Sequence, residues 1–170
     1  MALATTMTTD ARRQFAALLE HHRRIVFKVA NSYAWHPQDR DDLAQEIAAQ
    51  LWRAYPKYDP SRSFSTWMYR IALNVAISFV RGDGHRQRHV VPLDEGLHDC
   101  ADETASHETG QDLRALHRII GRFSPLDRAL LLLHLDDHGH RQIADILGIT
   151  ETNVATKLAR LRKRIREDMA

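Results

Sequence analysis

The side chains best placed for binding chemistry are cations near the end of the chain. Six of them follow one another with no acidic residue between: Lys157, Arg160, Arg162, Lys163, Arg164 and Arg166. An apolar stripe recurs every three or four residues in the same segment, at Val154, Leu158, Leu161 and Ile165. A helix would bury this stripe and leave most of the cations exposed. Such a face suits phosphate oxygens and base edges, although a solvated basic helix with no ligand is the simpler alternative.

The residues in front of the basic helix carry the signals of a helix-turn-helix. A short helix is predicted from Gln142, and it ends at Gly148 because glycine adopts the left-handed C′ conformation without steric cost. Thr150 is predicted to cap the next helix, from about Glu151 to Asp168. A cationic helix joined to its predecessor by a short turn is the geometry that enters a DNA major groove. The pattern therefore favours DNA contact over an unliganded face.

Eleven histidines raise a different possibility, a metal site. Three of them are close together in the sequence, at His134, His138 and His140, and His98 lies near Cys100. The three span a predicted helix end, and no carboxylate or cysteine cluster completes a ligand set. We therefore expect no metal and no cofactor. A hydrolase is also poorly supported, because no nucleophile elbow, Gly-rich loop or paired-acid motif is present, and no catalytic residue is assigned.

Composition limits the class of protein. The chain has 170 residues, of which 44% are hydrophobic and 27% charged, and this supports packed cores. No apolar run approaches the roughly 20 residues that cross a bilayer, so membrane insertion is not expected. The N-terminus lacks the pattern of a secretory signal. One cysteine excludes an internal disulfide and agrees with a cytoplasmic protein.

Hydrophobic periodicity predicts an all-α fold of two small helical domains joined by a flexible acidic linker. Almost no segment alternates with period two, so strands are not expected. Three amphipathic helices are predicted at about 10–34, 40–55 and 63–82, and they would form one domain over residues 10–85.

The second half of the chain follows the same logic. Residues 86–111 are predicted to be the linker, since they are rich in Asp and Glu and nearly free of large apolar side chains. The second domain is predicted over 112–170, with a short helix near 113–120. Ser124 would cap the next helix, with Pro125 at its first position.

Three stretches of the chain resemble extracytoplasmic-function sigma factors of the sigma-70 family, which retain only regions 2 and 4. They are Asp41–Ile47 with Leu51–Tyr55, then Tyr58–Ala76, and then Gln142–Arg166, which Ser124–Arg128 precedes. The resemblance implies a protein that is not an enzyme. Such a protein binds core RNA polymerase, recognises the −10 and −35 promoter elements and promotes DNA opening. The implied partners are the β′ clamp helices and β flap of the polymerase, promoter DNA and, in many relatives, an anti-sigma factor.

The resemblance also assigns residues to each role. Binding to core polymerase would fall to Asp42, Leu43, Gln45, Glu46 and Trp52. Contacts with the −10 element would fall to Trp67, Tyr69, Arg70, Asn74 and Arg81, with Arg86 and Arg88 as further phosphate contacts. Contacts with the −35 element would fall to Thr150, Thr152, Asn153, Thr156, Lys157, Arg160 and Arg164. The alternative for Trp67 and Tyr69 is that at least one is a core aromatic.

Two further points remain open in the sequence. Ala155 and Ala159 depart from the family pattern, where larger or basic residues are frequent, and this weakens the expected sequence choice of the last helix. The alternative function is a stand-alone helix-turn-helix transcriptional regulator with an N-terminal helical interaction domain.

Overall fold

The computed structural model describes residues 7–83 and 118–170, and all regular structure in these two ranges is helical. This confirms the all-α fold class. The helices are α1 (Thr9–His21), α2 (Arg23–Tyr33), α3 (Pro37–Ala54), α4 (Phe64–Asp83), α5 (Pro125–Leu135), α6 (His140–Leu147) and α7 (Glu151–Met169). A 3₁₀ turn, Tyr55–Lys57, follows α3, and residues 118–121 form a helical turn before α5. The predictions for the acidic linker, Arg86, Arg88, His98 and Cys100 lie outside the described residues.

The first predicted helix is in fact two helices, so the prediction of one helix over 10–34 is wrong. The chain breaks at His22, where φ is −106° and ψ is 14°. The His22 ring packs against Phe64, with ring centroids 5.3 Å apart. The break allows Phe15 on α1 and Val29 on α2 to enter one core. No glycine or proline marks this position, so hydrophobic periodicity cannot reveal it.

In the N-terminal part of the chain, helices α2, α3 and α4 pack against one another. Fully buried side chains come from all three: Val29 and Tyr33, then Leu43, Ile47 and Leu51, then Met68 and Leu73. Each aliphatic side chain of this size contributes on the order of 2 kcal/mol on burial. Because each helix buries a single stripe, the burial also determines which side chains face outward.

The C-terminal helices begin and end close to where the sequence predicts, although α6 begins at His140 and not at Gln142. The Ser124 side chain accepts a hydrogen bond from the backbone N–H of Asp127 at 3.2 Å, and Pro125 is the first residue of α5. Gly148 ends α6 with φ of 68°, in the left-handed region. The Thr150 hydroxyl caps α7 by accepting from the backbone N–H of Asn153 at 3.1 Å. The cap predictions are therefore confirmed.

The C-terminal helices also contact α2 and α4. The Tyr33 hydroxyl donates to the carbonyl of Pro125 at 2.7 Å, and burial raises the pKa of Tyr33, so the phenol keeps its proton. Arg128 is buried, and its guanidinium lies 5.7 Å from the centre of the Tyr33 ring. It donates to the carbonyls of Gly121 and Phe123, at 2.7 and 3.3 Å. These bonds compensate for its burial.

The turn between α6 and α7 depends on glycine, and this can be tested. Gly148→Ala should lower the free energy of unfolding by about 1 kcal/mol, because a Cβ is strained in the left-handed conformation. Urea unfolding of the whole chain measures the effect. Gly82→Ala is the matched control, since a Cβ there meets nothing within 4 Å and its φ is not positive. Equal destabilisation by the two substitutions would contradict the assignment.

Candidate nucleic-acid interface

The α6–turn–α7 unit presents one face of α7 to solvent. Ile143 and Ile146 on α6 are buried, as are Val154, Leu158 and Leu161 on α7. Their packing sets the angle between the two helices and the rotation of α7 about its axis. The remaining faces of α7 carry its cations and its short polar side chains, so the buried stripe predicted from the sequence leaves the predicted surface free.

Most of the predicted −35 residues lie on this surface. Besides the capping residue Thr150, which is also exposed, five of them are exposed, namely Thr152, Asn153, Thr156, Arg160 and Arg164. They belong to the N-terminal and middle turns of α7, the part of a recognition helix that reaches base edges in the major groove. The Thr150 oxygen is engaged as the helix cap, but its hydroxyl proton remains available to a phosphate.

Two of the predicted cations have partners within the chain. Lys157 pairs with Asp127 at the start of α5, with Nζ 3.7 Å from Oδ1. The Arg164 guanidinium lies over the Phe123 ring at 4.7 Å. Both side chains therefore lie at the edge of α7 that faces α5, where they are held in place. Asn153, Thr156 and Arg160 are less restrained.

Ala155 and Ala159 are exposed on α7. They offer no hydrogen bond to a base edge, and the contact open to a methyl side chain is an apolar one with the thymine methyl group. The structure thus places the two departures from the family pattern on the surface that would meet DNA.

A second exposed stripe runs along α4. It consists of Trp67, Arg70, Asn74, Ser78 and Arg81, which are three or four residues apart and so share one face of the helix. Four of the five predicted −10 residues belong to this stripe. The opposite face of α4 is buried and includes Met68, Ala72 and Ala76.

Trp67 stands at the edge of an aromatic cluster. Its ring is 5.0 Å from that of Tyr58 and 5.3 Å from that of Phe64. The Tyr58 hydroxyl in turn donates to the carbonyl of Arg62 at 2.6 Å, which fixes the loop before α4. Trp67 is only partly buried, so its ring is oriented by the cluster while one part remains available to a base.

Tyr69 is the predicted −10 residue that the structure separates from the others. It is 1% exposed on the buried face of α4, and its hydroxyl donates to the Asp136 carboxylate. In this arrangement the ring is a core aromatic, which is one of the two alternatives that the sequence left open. The helical period could have shown it, because Tyr69 shares its face with Ala72 and Ala76.

The predicted polymerase-binding residues also divide into exposed residues and one buried residue. Asp42, Gln45 and Glu46 are exposed along α3, and Trp52 is exposed with its ring in edge contact with Phe15 at 5.4 Å. Leu43 is completely buried. It therefore fixes α3 in the core and does not offer a surface to a partner, so its assignment to direct contact does not fit this fold.

A groove beside these acids was missed by the sequence analysis. It has a volume of about 490 Å³ and lies between α1, α2 and α3. Its apolar lining includes Leu19, Val26, Phe27 and Ala44, and Asp41 and Gln45 stand among the polar residues that line it. The Phe27 side chain is 55% exposed there. Phe27 lies off the buried Val26–Val29–Tyr33 stripe of α2. This position in the helical period is the sequence signal that could have indicated the groove.

The histidines do not come together as a metal site in residues 7–83 and 118–170. No group of three potential His, Cys, Asp or Glu ligands occurs in these ranges. His134 Nε2 accepts from Arg162 at 2.7 Å, and His138 Nδ1 donates to the carbonyl of Leu133 at 3.2 Å. These two rings are therefore engaged separately.

Comparison with known families identifies both helical parts of the chain. Residues 18–86 match the family model for Sigma-70 region 2, and residues 113–165 match that for Sigma-70, region 4. The first range contains α2, α3 and α4, and the second contains α5, α6 and nearly all of α7. The chain belongs to the sigma-70 family. It is an RNA polymerase sigma factor of the extracytoplasmic-function type and acts in transcription initiation.

Individual relatives agree with this membership. The sigma factor is 24% identical to the RNA polymerase sigma factor CnrH of Cupriavidus metallidurans over 172 residues, which cover 96% of this chain and 90% of the relative. It is 28% identical to the ECF RNA polymerase sigma factor RpoE of Cereibacter sphaeroides, with 92% and 86% coverage.

A solved structure shares the fold of this sigma factor. It is the complex of the sigma factor RpoE with the anti-sigma factor NepR from Bartonella quintana, with a TM-score of 0.69. The sequence identity is 18%, and the match covers 95% of this chain and 98% of the solved chain. The family matches and these relatives do not favour a stand-alone regulator. Within the described residues, no helix is long and apolar enough to cross a bilayer.

Proposed function

We propose that this sigma factor holds promoter DNA at two points and core polymerase at a third. Four side chains of the α4 stripe, Trp67, Arg70, Asn74 and Arg81, would contact the −10 element. The exposed face of α7 would contact the −35 element, and the acidic face of α3 would contact the polymerase. The observation that carries the proposal is the segregation of side chains on α3 and α4. Acids and a groove occupy one outward face, whereas an aromatic ring, an amide and arginines occupy the other.

The division into domains belongs to the same proposal. Residues 10–85 would be the region 2 domain, 112–170 the region 4 domain, and 86–111 the acidic connection between them. The family matches at 18–86 and 113–165 support these limits.

At the −10 element, α4 would capture bases as the duplex opens. An aromatic ring stabilises an unstacked base by roughly 1–3 kcal/mol, and Trp67 has a partly free ring that its cluster holds in place. Asn74 lies two turns further along the same face, where its amide can donate to and accept from the edge of a flipped base. Arg70 and Arg81 flank this position and would bind phosphates.

At the −35 element, α7 would enter the major groove. Arg160 is long enough to bind a guanine with two hydrogen bonds, and Asn153 can do the same for adenine. Lys157 and Arg164, which are held at the edge of α7, would contact the phosphate backbone and position the helix. With Ala155 and Ala159 beside them, the helix would contribute position and affinity as much as sequence choice.

Core polymerase would dock on α3. Asp42, Gln45 and Glu46 would face basic residues of the β′ clamp helices, and the adjacent groove with Phe27 would receive an apolar side chain. A charged rim around an apolar centre is the usual composition of a protein interface. The β flap would contact the region 4 domain.

The remaining features of the proposal follow from the relatives. The chain would act in the cytoplasm, where the polymerase is, and without catalysis or a cofactor of its own. The complex of RpoE with NepR supports an anti-sigma factor as a further partner. Copurification tests the whole proposal. The tagged chain should retain core polymerase and direct it to a promoter, whereas a stand-alone regulator would bind promoter DNA tightly without polymerase.

Arg160→Ala should strongly reduce −35-dependent transcription, because a bidentate contact with a base is worth about 1–3 kcal/mol. Transcription in vitro would fall by roughly tenfold or more, while binding to core polymerase stays unchanged. Arg13→Ala, which removes an exposed arginine from α1, is the control. Unchanged promoter activity in the Arg160 variant would contradict the role of α7.

Asn74→Ala should reduce open-complex formation by roughly tenfold, because the captured base loses its hydrogen-bonding partner. Permanganate reactivity of thymines in the −10 element measures the open complex directly. Ser78→Ala removes an exposed polar side chain one turn further along the same stripe and should have little effect. A similar loss in both variants would point to general damage to α4.

Asp42→Lys should weaken binding to core polymerase by about tenfold at low salt, because it places like charges against each other across the interface. Fluorescence anisotropy with labelled sigma factor and core enzyme, without DNA, gives the affinity. Asp10→Lys applies the same charge change at the exposed start of α1. The role of α3 would be wrong if the two variants bound equally well.

A further inference from the structure

Lys157 lies within the stripe of α7 that is proposed to meet the −35 element. Asn153, Lys157, Arg160 and Arg164 are spaced by four, three and four residues, so they share one side of the helix. This side borders α5, which packs against α7. DNA that contacts Asn153 and Arg160 would therefore bring its phosphates close to the Lys157 ammonium group.

Lys157 already has an anionic partner within the chain. Asp127 lies in the first turn of α5, and its Oδ1 is 3.7 Å from the Lys157 Nζ. The lysine and aspartate side chains are 32% and 18% exposed, against 74% and 63% for the pair of Lys163 and Glu167 further along α7. Less exposed charges are screened less by water and salt, so the pair of Lys157 and Asp127 is the stronger of the two.

The start of α5 holds the Asp127 carboxylate in place. The backbone N–H of Asp127 donates to the Ser124 hydroxyl at 3.2 Å, and Pro125 is the first residue of the helix. A negative charge in the first turn is also stabilised by the helix dipole. Leu130 and Leu133 on the same helix are completely buried. The carboxylate is therefore a fixed part of the surface beside α7.

Two other cations of α7 also have partners on or just before α5, but those partners carry no charge. The Arg164 guanidinium lies over the Phe123 ring at 4.7 Å. Arg162 donates to the His134 ring, whose Nε2 accepts at 2.7 Å. Both arginines thus keep their full positive charge for DNA, whereas Asp127 cancels that of Lys157.

A phosphate that approaches Lys157 would meet the Asp127 carboxylate as well. If Lys157 stays with Asp127, it makes no contact with DNA, and if it turns to the phosphate, Asp127 loses its partner beside a second anion. In both cases the pair has no net charge, so it adds nothing to the release of counterions from DNA. The carboxylate restrains the lysine side chain, which lowers the entropy cost of a contact, but it also removes the charge that the phosphate would bind.

We infer that Asp127 competes with DNA phosphate for Lys157 and so limits the sequence-independent affinity of this sigma factor for DNA, an inference that rests on the −35 role proposed for α7. Phosphate contacts supply affinity without sequence information. When one of them is cancelled, a larger share of the binding falls to Asn153 and Arg160, which can read bases. Retention on DNA that has no promoter is reduced at the same time.

Binding of the holoenzyme to a promoter duplex, followed by fluorescence anisotropy over a range of salt concentrations, tests this competition. Asp127→Asn should raise the affinity by roughly threefold to tenfold near 0.1 M salt, and it should steepen the slope of log affinity against log salt by about 0.9. Asp168→Asn makes the same charge change on an exposed side chain in the last turn of α7, about 16 Å further along the helix, and should alter neither quantity. If the carboxylate merely supported α7, Asp127→Asn would lower the affinity, and that result would overturn the competition.

The same measurement on a duplex of scrambled sequence shows which part of DNA is involved. The gain from Asp127→Asn should be equal on the two duplexes, because phosphates carry no sequence information. A gain that occurs only on the promoter would assign Asp127 to the reading of bases and would contradict a competition for phosphate.

Lys157→Gln identifies the cation through which Asp127 acts. With Asp127 present, this substitution should change the salt slope by less than about half of one phosphate contact, whereas in the Asp127→Asn background it should remove the whole gain. Asp127→Ser provides a second neutral variant, and far-UV circular dichroism identifies any variant that has lost its helices. Equal effects of Lys157→Gln in the presence and absence of Asp127 would show that the two residues act independently, and the inference would be wrong.

Arg160→Ala in the same assay reports separately on the proposed −35 role. If Arg160→Ala weakens promoter binding and Asp127→Asn does not strengthen it, the competition is wrong and the role of α7 stands. If neither variant changes the affinity, both are wrong. Loss of affinity in Arg160→Ala together with a gain in Asp127→Asn is the result expected.

Discussion

The one-sided burial of α3 and α4 is the constraint on which the rest of this sigma factor depends. Leu43, Ile47 and Leu51 fix the rotation of α3, and Met68 with Leu73 fixes that of α4. Since the two helices pack against each other, the acidic face of one and the aromatic and amide face of the other are held at a constant angle. A polymerase bound to α3 would therefore be positioned relative to DNA bound to α4, and no loop intervenes between the two surfaces.

The two proposed DNA contacts rely on different physical interactions. On α4, an aromatic cluster orients Trp67, so the binding energy would come from stacking with bases that have left the duplex. On α7, the capped turn at Gly148 and Thr150 directs a cationic helix, so the energy would come from phosphates and from base edges in an intact groove. Asp127 and Phe123 restrain the side chains of Lys157 and Arg164. Less side-chain conformational entropy would therefore be lost when these two residues contact DNA.

The contact through Asp136 combines two kinds of surface. Tyr33 and Tyr69 are covered by the C-terminal helices, whereas Lys28 and Asp136 stay partly exposed, so the contact combines a stable apolar part with a polar part that water can enter. Partly exposed ion pairs are modest in strength.

The sequence alone determined the all-α class, the Ser124 and Thr150 caps, the glycine turn and the exposed cations of α7, because each depends on neighbours within a few residues. The family resemblance added the proposed roles of α3 and α4. Only the tertiary structure determined that Tyr69 and Leu43 are buried, whereas Trp67 and Asp42 face outward. It also determined the break of the first helix at His22 and the groove beside Phe27. Those outcomes depend on contacts between residues far apart in the chain. The bond from Tyr69 to Asp136 joins α4 to the turn after α5, and no local pattern of residue types specifies that pairing.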